Sequence, residues 1–204
     1  MSQPGSLSVM AFIDLVELRA LLSLEAMGGA GGSDAARGGD VATGWRAFPR
    51  RLVEEAMVQM DVFAGRPLEF AGARVYVPLG LLDRAAAAEI VGDNVELREV
   101  KPTVAECRAC DLAGTSSCHR CRNLALDPSA LVAAAIGDDL VRLARDEGIG
   151  ALVLVTSDSA LIPMVRFLER KGKIVVHATV PPRGRDLSAA CSAVLDIGRF
   201  AGRL

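Results

Sequence analysis

Three short stretches, SVMAFI at 8–13, ALVLVT at 151–156 and KIVVHA at 173–178, are apolar with almost no alternation. Runs of this kind fit strands covered on both faces, and a parallel sheet sandwiched by helices is the arrangement that buries strands in that way. Between them the apolar residues recur at helical spacing: about 17–27, about 46–63 with Pro49 near the first turn, a short piece in LLDRAAAAEIVG, and about 128–147. A further helix ends at RKGK, and a terminal one starts near Asp186. ARVYVPLG and VELREVK add strands at about 73–78 and 95–101. Strand and helix alternate, which predicts an α/β fold: a three-layer, doubly wound, mostly parallel sheet of about five strands. At 204 residues the chain suits one domain over 1–204.

Composition narrows the function classes. With 23 basic and 25 acidic residues the net charge is -2, so the chain is neither a polycation that coats nucleic acid nor a highly charged disordered polymer. Any contact with nucleic acid must come from a local patch. No apolar run approaches the roughly 18 residues of a membrane span, and the start MSQPGS lacks the basic and apolar order of a secretory signal, so a cytoplasmic protein without membrane contact is expected. GGAGGSDAARGGD breaks all periodicity and predicts a flexible glycine-rich loop at 28–44. It lacks a GK[ST] ending, so it does not read as a phosphate loop, which also lowers the prospect of a nucleotide-binding protein or small phosphatase.

Two of the apolar strands end in a carboxylate, Asp14 and Asp158. Ligands of open parallel sheets sit beyond the carboxyl ends of the strands, where the strand order reverses. If these strands are neighbours, the two anions face each other across the crevice. They then need a shared proton, a basic partner or a divalent cation. Magnesium or manganese prefers such oxygen ligands. A third acid comes from the helix at 128–147. Asp139 falls inside the apolar arc of Val132, Ile136, Leu140 and Leu143, whereas Asp138 lies outside it with Arg142 four residues on. Asp139 is therefore costly to bury unless something balances it. Glu17, in the first turn after Asp14, is either a fourth member or an acid stabilised by the helix dipole.

The run VMAFID, the segment DDLVRLARDEGIGALVLVTSDSALIPMVRFLERKGKIVV and the ending LSAACSAVLDI resemble the NYN family of PIN-like nucleases. The resemblance covers about 8–18 and 125–198. It implies a PIN-like fold and divalent-metal-dependent cleavage of RNA phosphodiesters by an endoribonuclease, with Asp14, Asp139 and Asp158 as the magnesium- or manganese-binding acids. Glu17 stands where the family has Asn, and Ala133 and Ala160 stand where it has two further acids. These departures leave open a catalytically degenerate domain that binds RNA or protein.

Cys107-x2-Cys110-x7-Cys118-x2-Cys121 offers two thiolate pairs, each able to chelate one tetrahedral ion. A small zinc-knuckle insertion at 104–124 is expected, with an iron–sulfur cluster or disulfides as alternatives. Four sulfur ligands leave no open position, so the zinc would be structural. Arg108, Arg120 and Arg122, with His119 and Lys101, either compensate the negative thiolate cluster or contact RNA phosphates. Arg183 and Arg185 form a second basic turn after the 173–178 strand, read as an RNA contact or a solvated loop. His177 reads as a packed, hydrogen-bonded core residue and Cys191 as a small buried side chain. Trp45 and Tyr76 are the only large polar-edged aromatics, which gives little support to base stacking. RNA is the expected partner, with a second copy or another protein left open.

Overall fold

The computed structural model describes residues 5–28, 41–63, 65–101 and 128–199. Its core is a six-stranded sheet of β1 (Leu7–Asp14), β2 (Leu68–Pro78), β3 (Val95–Val100), β4 (Ala151–Val155), β5 (Ile174–Thr179) and β6 (Ala193–Asp196). The order is β3-β2-β1-β4-β5-β6 and every strand pair is parallel. Helices α1 (Leu15–Gly28), α2 (Val41–Gln59) and α3 (Arg84–Ile90) cover one face; α4 (Pro128–Leu143), α5 (Ile162–Arg170) and α6 (Arg185–Ser188) cover the other. The expected three-layer, doubly wound architecture is what forms. Its strand order reverses between β1, which ends at Asp14, and β4, which is followed three residues on by Asp158.

The apolar runs fold this way because each face of a strand finds a helix. All five residues of β4 are buried. Ala151, Val153 and Val155 pack toward α1 and α2 with Leu18, Leu21 and Leu52, while Leu152 and Leu154 pack toward α4 and α5 with Ile136, Leu140 and Val165. At about 1.5–3 kcal/mol for each fully buried aliphatic side chain, this two-sided burial holds the centre of the sheet. Among the described residues no helix is long and apolar enough to cross a membrane.

The sheet has one strand more than expected. The terminal segment is helical only over Arg185–Ser188 and then turns into β6. Its alanines favour a helix locally, but the open edge of β5 supplies a hydrogen-bonding ladder, and Leu195 packs inward from it. Helix α2 starts earlier than its periodicity predicts, which leaves Pro49 inside the helix instead of in its first turn. Helix α4 ends at Leu143 because the next amides bond back three residues, Arg145 N–H to Arg142 and Asp146 N–H to Leu143. The ends of the expected 28–44 loop, Gly28 and Val41 onward, belong to α1 and α2; the remainder, 29–40, lies outside the described residues, as does the cysteine module at 104–124.

Strand β2 is longer than the 73–78 reading, and its extra length contains a bulge. Val9 pairs with Phe70 but Met10 pairs with Gly72, so Ala71 is an inserted residue. Leu68 and Phe70 before the bulge, and Ala73, Val75 and Val77 after it, therefore share the α1–α2 face. Arg74 and Tyr76 are turned to the opposite face, toward α4. Gly72 has φ +155, and a Cβ there would stand 2.8 Å from the Asn94 carbonyl oxygen. Gly72→Ala should lower the unfolding free energy by about 1–3 kcal/mol, read as a reduced urea midpoint.

Candidate functional site

Asp14 is the last residue of β1 and the first cap of α1. Its Oδ1 accepts the amides of Val16 (2.9 Å) and Glu17 (3.2 Å), two of the donors a helix start leaves unpaired. Asp158 repeats the arrangement one strand away. Its Oδ1 accepts the Ala160 amide at 2.8 Å at the head of the 3₁₀ turn that leads into α5. Neither Oδ2 receives a hydrogen bond or ion pair from any described residue, and among those residues no buried side-chain polar atom is unpaired. Both second oxygens are therefore without a protein partner among the described residues, and neither is sealed from water.

The acids feel one another. Burial raises the Asp14 carboxyl above its ordinary 3.8, the two amide bonds oppose this, and the negative charges of Glu17 and Asp158 raise it further. Asp14, Glu17 and Asp158 thus lie near enough for their charges to interact. Glu17 is already engaged: its Oε1 meets Arg183 Nε at 2.7 Å, its Oε2 accepts Arg183 Nη2 at 3.0 Å, and Ser157 donates its hydroxyl to Oε1.

Asp139 is held by other partners than Asp14 and Asp158. It is 1% exposed, as its place in the apolar arc predicts, but the balancing charges are guanidiniums. Arg98 Nη1 stands 2.9 Å from Oδ1 and 2.7 Å from Oδ2, Arg74 Nη1 lies 3.3 Å from Oδ1, and Tyr76 donates its hydroxyl to Oδ2 at 2.5 Å. A buried carboxylate with both oxygens taken and two cations beside it has no need of a metal and repels one. Burial and the bond to Asp139 push the Tyr76 hydroxyl pKa up, so it stays a donor. This cluster depends on the Gly72 bulge, and the sequence reading missed it because the bulge decides which face Arg74 and Tyr76 occupy. Asp138 has its expected solvent-side pair, Arg142, at 2.7 Å. Ala133 is buried in α4 and Ala160 is exposed, so neither position supplies an acid.

His177 is fully buried on β5. Its Nε2 lies 2.6 Å from the Thr156 carbonyl, which can only accept, so Nε2 carries the proton and Nδ1 accepts from the Ser188 hydroxyl at 2.7 Å. It is a neutral brace between β4 and α6, as expected of a core histidine. Burial also pushes the Cys191 thiol up to about 12, which makes it inert. Arg185 is exposed and, among the described residues, pairs with no carboxylate. Arg108, Arg120, Arg122 and the four cysteines Cys107, Cys110, Cys118 and Cys121 lie outside the described residues. Within the described residues, no three His, Cys, Asp and Glu side chains are grouped at metal-ligating spacing.

The strand order is that of doubly wound dinucleotide-binding sheets, where a diphosphate rests on a glycine-rich turn at the start of α1. Here that turn reads Asp14-Leu15-Val16-Glu17, and its amides are capped by a carboxylate. A diphosphate would meet two anions, and the Val16 and Glu17 amides are already taken. A separate groove lined by Arg50, Met57, Leu68 and Phe70 lies at the amino-terminal ends of β1 and β2, the opposite end of the sheet.

No known protein family matches the chain, and no curated protein does. Among solved structures, a crystal structure of S. aureus homoserine dehydrogenase aligns with 95% of this chain at 9% identity and a TM-score of 0.36. This chain spans 33% of that one.

Two outcomes follow from the bracing contacts. Tyr76→Phe should cost about 1.5–3 kcal/mol of stability, the range for a bond to a charged acceptor, measured by urea unfolding. The buried His177 has its pKa held below the ordinary 6.5, chiefly by burial. Below about 6.5 the unfolded chain binds the proton more readily than the folded one, so stability falls as the pH drops through that value. Comparing urea midpoints at neutral and mildly acidic pH checks this, and His177→Gln should flatten the dependence.

Proposed function

We propose that the β1–β4 crevice takes one divalent cation, magnesium or manganese, and that the protein is a metal-dependent endoribonuclease acting on RNA phosphodiester bonds there. The observation that carries this reading is the pair of open Oδ2 atoms of Asp14 and Asp158 at the point where the strand order reverses. Magnesium is commonly held by one or two carboxylates, with water and substrate phosphate completing its shell, so two acids suit a single ion. Bound there, such an ion supplies Lewis acidity toward a phosphoryl oxygen and lowers the pKa of water. RNA as the substrate rests on the resemblance in VMAFID and in the 138–176 segment.

The chain's own groups have separable tasks. The Val16, Glu17 and Ala160 amides orient Asp14 and Asp158, and the first two favour the ionised form of Asp14 against the burial that raises its pKa. Glu17 adds negative charge beside them. Arg185, with Arg108, Arg120 and Arg122, would hold the RNA backbone, which gives affinity without reading sequence. Cys107, Cys110, Cys118 and Cys121 are assigned to a structural zinc in the same proposal, in a cytoplasmic protein. A second reading, an NYN-like domain that binds RNA or a protein without cleaving, is favoured by the neutralised Asp139 and by the alanines at 133 and 160.

Single-stranded RNA should be cleaved in manganese or magnesium, and Asp14→Asn or Asp158→Asn should each cut the rate by on the order of 10²-fold or more. Undiminished turnover in both variants would reject the mechanism. RNA binding with no metal-stimulated turnover in the unaltered protein selects the second reading.

A further inference from the structure

Arg183 lies in the turn between β5 and α6, and the turn is held at several points. Its amide bonds to the Val180 carbonyl at 3.0 Å, and its carbonyl accepts the Thr179 hydroxyl at 3.1 Å. The next residue, Gly184, has φ +64, and a Cβ there would stand 2.7 Å from His177 Cε1 and 3.2 Å from Ser157 Oγ. The backbone is thus pressed onto the histidine that braces β4 and β5, which aims the Arg183 side chain at Glu17. The resulting contact is two-pronged, at 2.7 and 3.0 Å.

The pair differs from the Asp139 cluster in one respect that matters. Arg74 and Arg98 hold a carboxylate that is 1% exposed, whereas the Arg183 side chain is 40% exposed and Glu17 is 12% exposed. The Arg183 guanidinium can leave into water, but Glu17 would then keep only the Ser157 hydroxyl, so its departure calls for a replacement cation. While it stays, Glu17 is withheld from the crevice, and Asp14 and Asp158 offer the open oxygens there.

We propose that Arg183 is a built-in latch that occupies Glu17 as a counter-cation, and that a divalent cation entering beside Asp14 and Asp158 displaces it. Glu17 then turns to the cation, and the released guanidinium stands at the mouth of the crevice, where a phosphate would be its next partner. This rests on the reading of the crevice as a cation site. It adds that cation binding and arginine presentation are coupled through one carboxylate.

Manganese binding to the whole protein, followed by electron paramagnetic resonance of the free ion, tests the latch without reference to cleavage. Arg183→Met keeps the aliphatic stem and removes both the competitor and its repulsion, so it should bind manganese about tenfold more tightly. The gain should vanish when Glu17→Gln is added, because the carboxylate released by the first change is then gone. Equal or weaker affinity in Arg183→Met, or a gain that survives Glu17→Gln, overturns the latch and leaves the cation site standing. Absence of manganese binding in both the unaltered protein and Arg183→Met overturns the cation reading, and the latch with it.

Discussion

The parallel pairing of β1 with β4 is the constraint on which the rest of the molecule depends. It runs from Val9 against Ala151 to Ile13 against Val155, with both strands buried on both faces. One side of the sheet is built outward from β1 through β2 to β3, and the other from β4 through β5 to β6. The helices after β1 and β4 consequently leave toward opposite faces and open a crevice between them. Any residue that immediately follows either strand is delivered to that crevice, and in this chain those residues are Asp14 and the Thr156-Ser157-Asp158 segment.

Two carboxylate clusters result, with opposite electrostatic solutions. On the α4 side, Asp139 is enclosed by Arg74, Arg98 and Tyr76, Glu96 pairs with both guanidiniums from the solvent side, and the cluster is a neutral strut between α4 and strands β2 and β3. In the crevice, Asp14 and Asp158 spend one oxygen each on a helix start and keep the other open, while Glu17 is shared between Ser157 and Arg183. A neutral strut adds rigidity and has little to offer a ligand. An incompletely neutralised pair is poised to take up a cation, and the chemistry proposed above draws on that difference.

Much of the architecture was legible because it is governed by local rules. Unbroken apolar strands, helical spacing between them and an acid at two strand ends suffice to predict a doubly wound sheet with carboxylates at its reversal point. The His177 reading also followed from its apolar strand, and the structure supplies the two bonds that satisfy the ring. The sixth strand was hidden because LSAACSA favours a helix until the edge of β5 is beside it. Asp139 was read correctly as buried, and the groups that balance it are guanidiniums. Its partners lie 41 and 65 residues away along the chain, on strands whose facing depends on one inserted residue at the Gly72 bulge.

Sequence alone determined the first five strands, the helical segments between them, and that Asp14 and Asp158 follow strands at the carboxyl edge of the sheet, since burial periodicity and strand-end position are properties of neighbouring residues. Tertiary structure decided which carboxylates stay open and which are neutralised. That choice depends on guanidiniums brought in from β2, β3 and the β5–α6 turn, and a register shift of one residue in β2 would have turned Arg74 and Tyr76 away from Asp139.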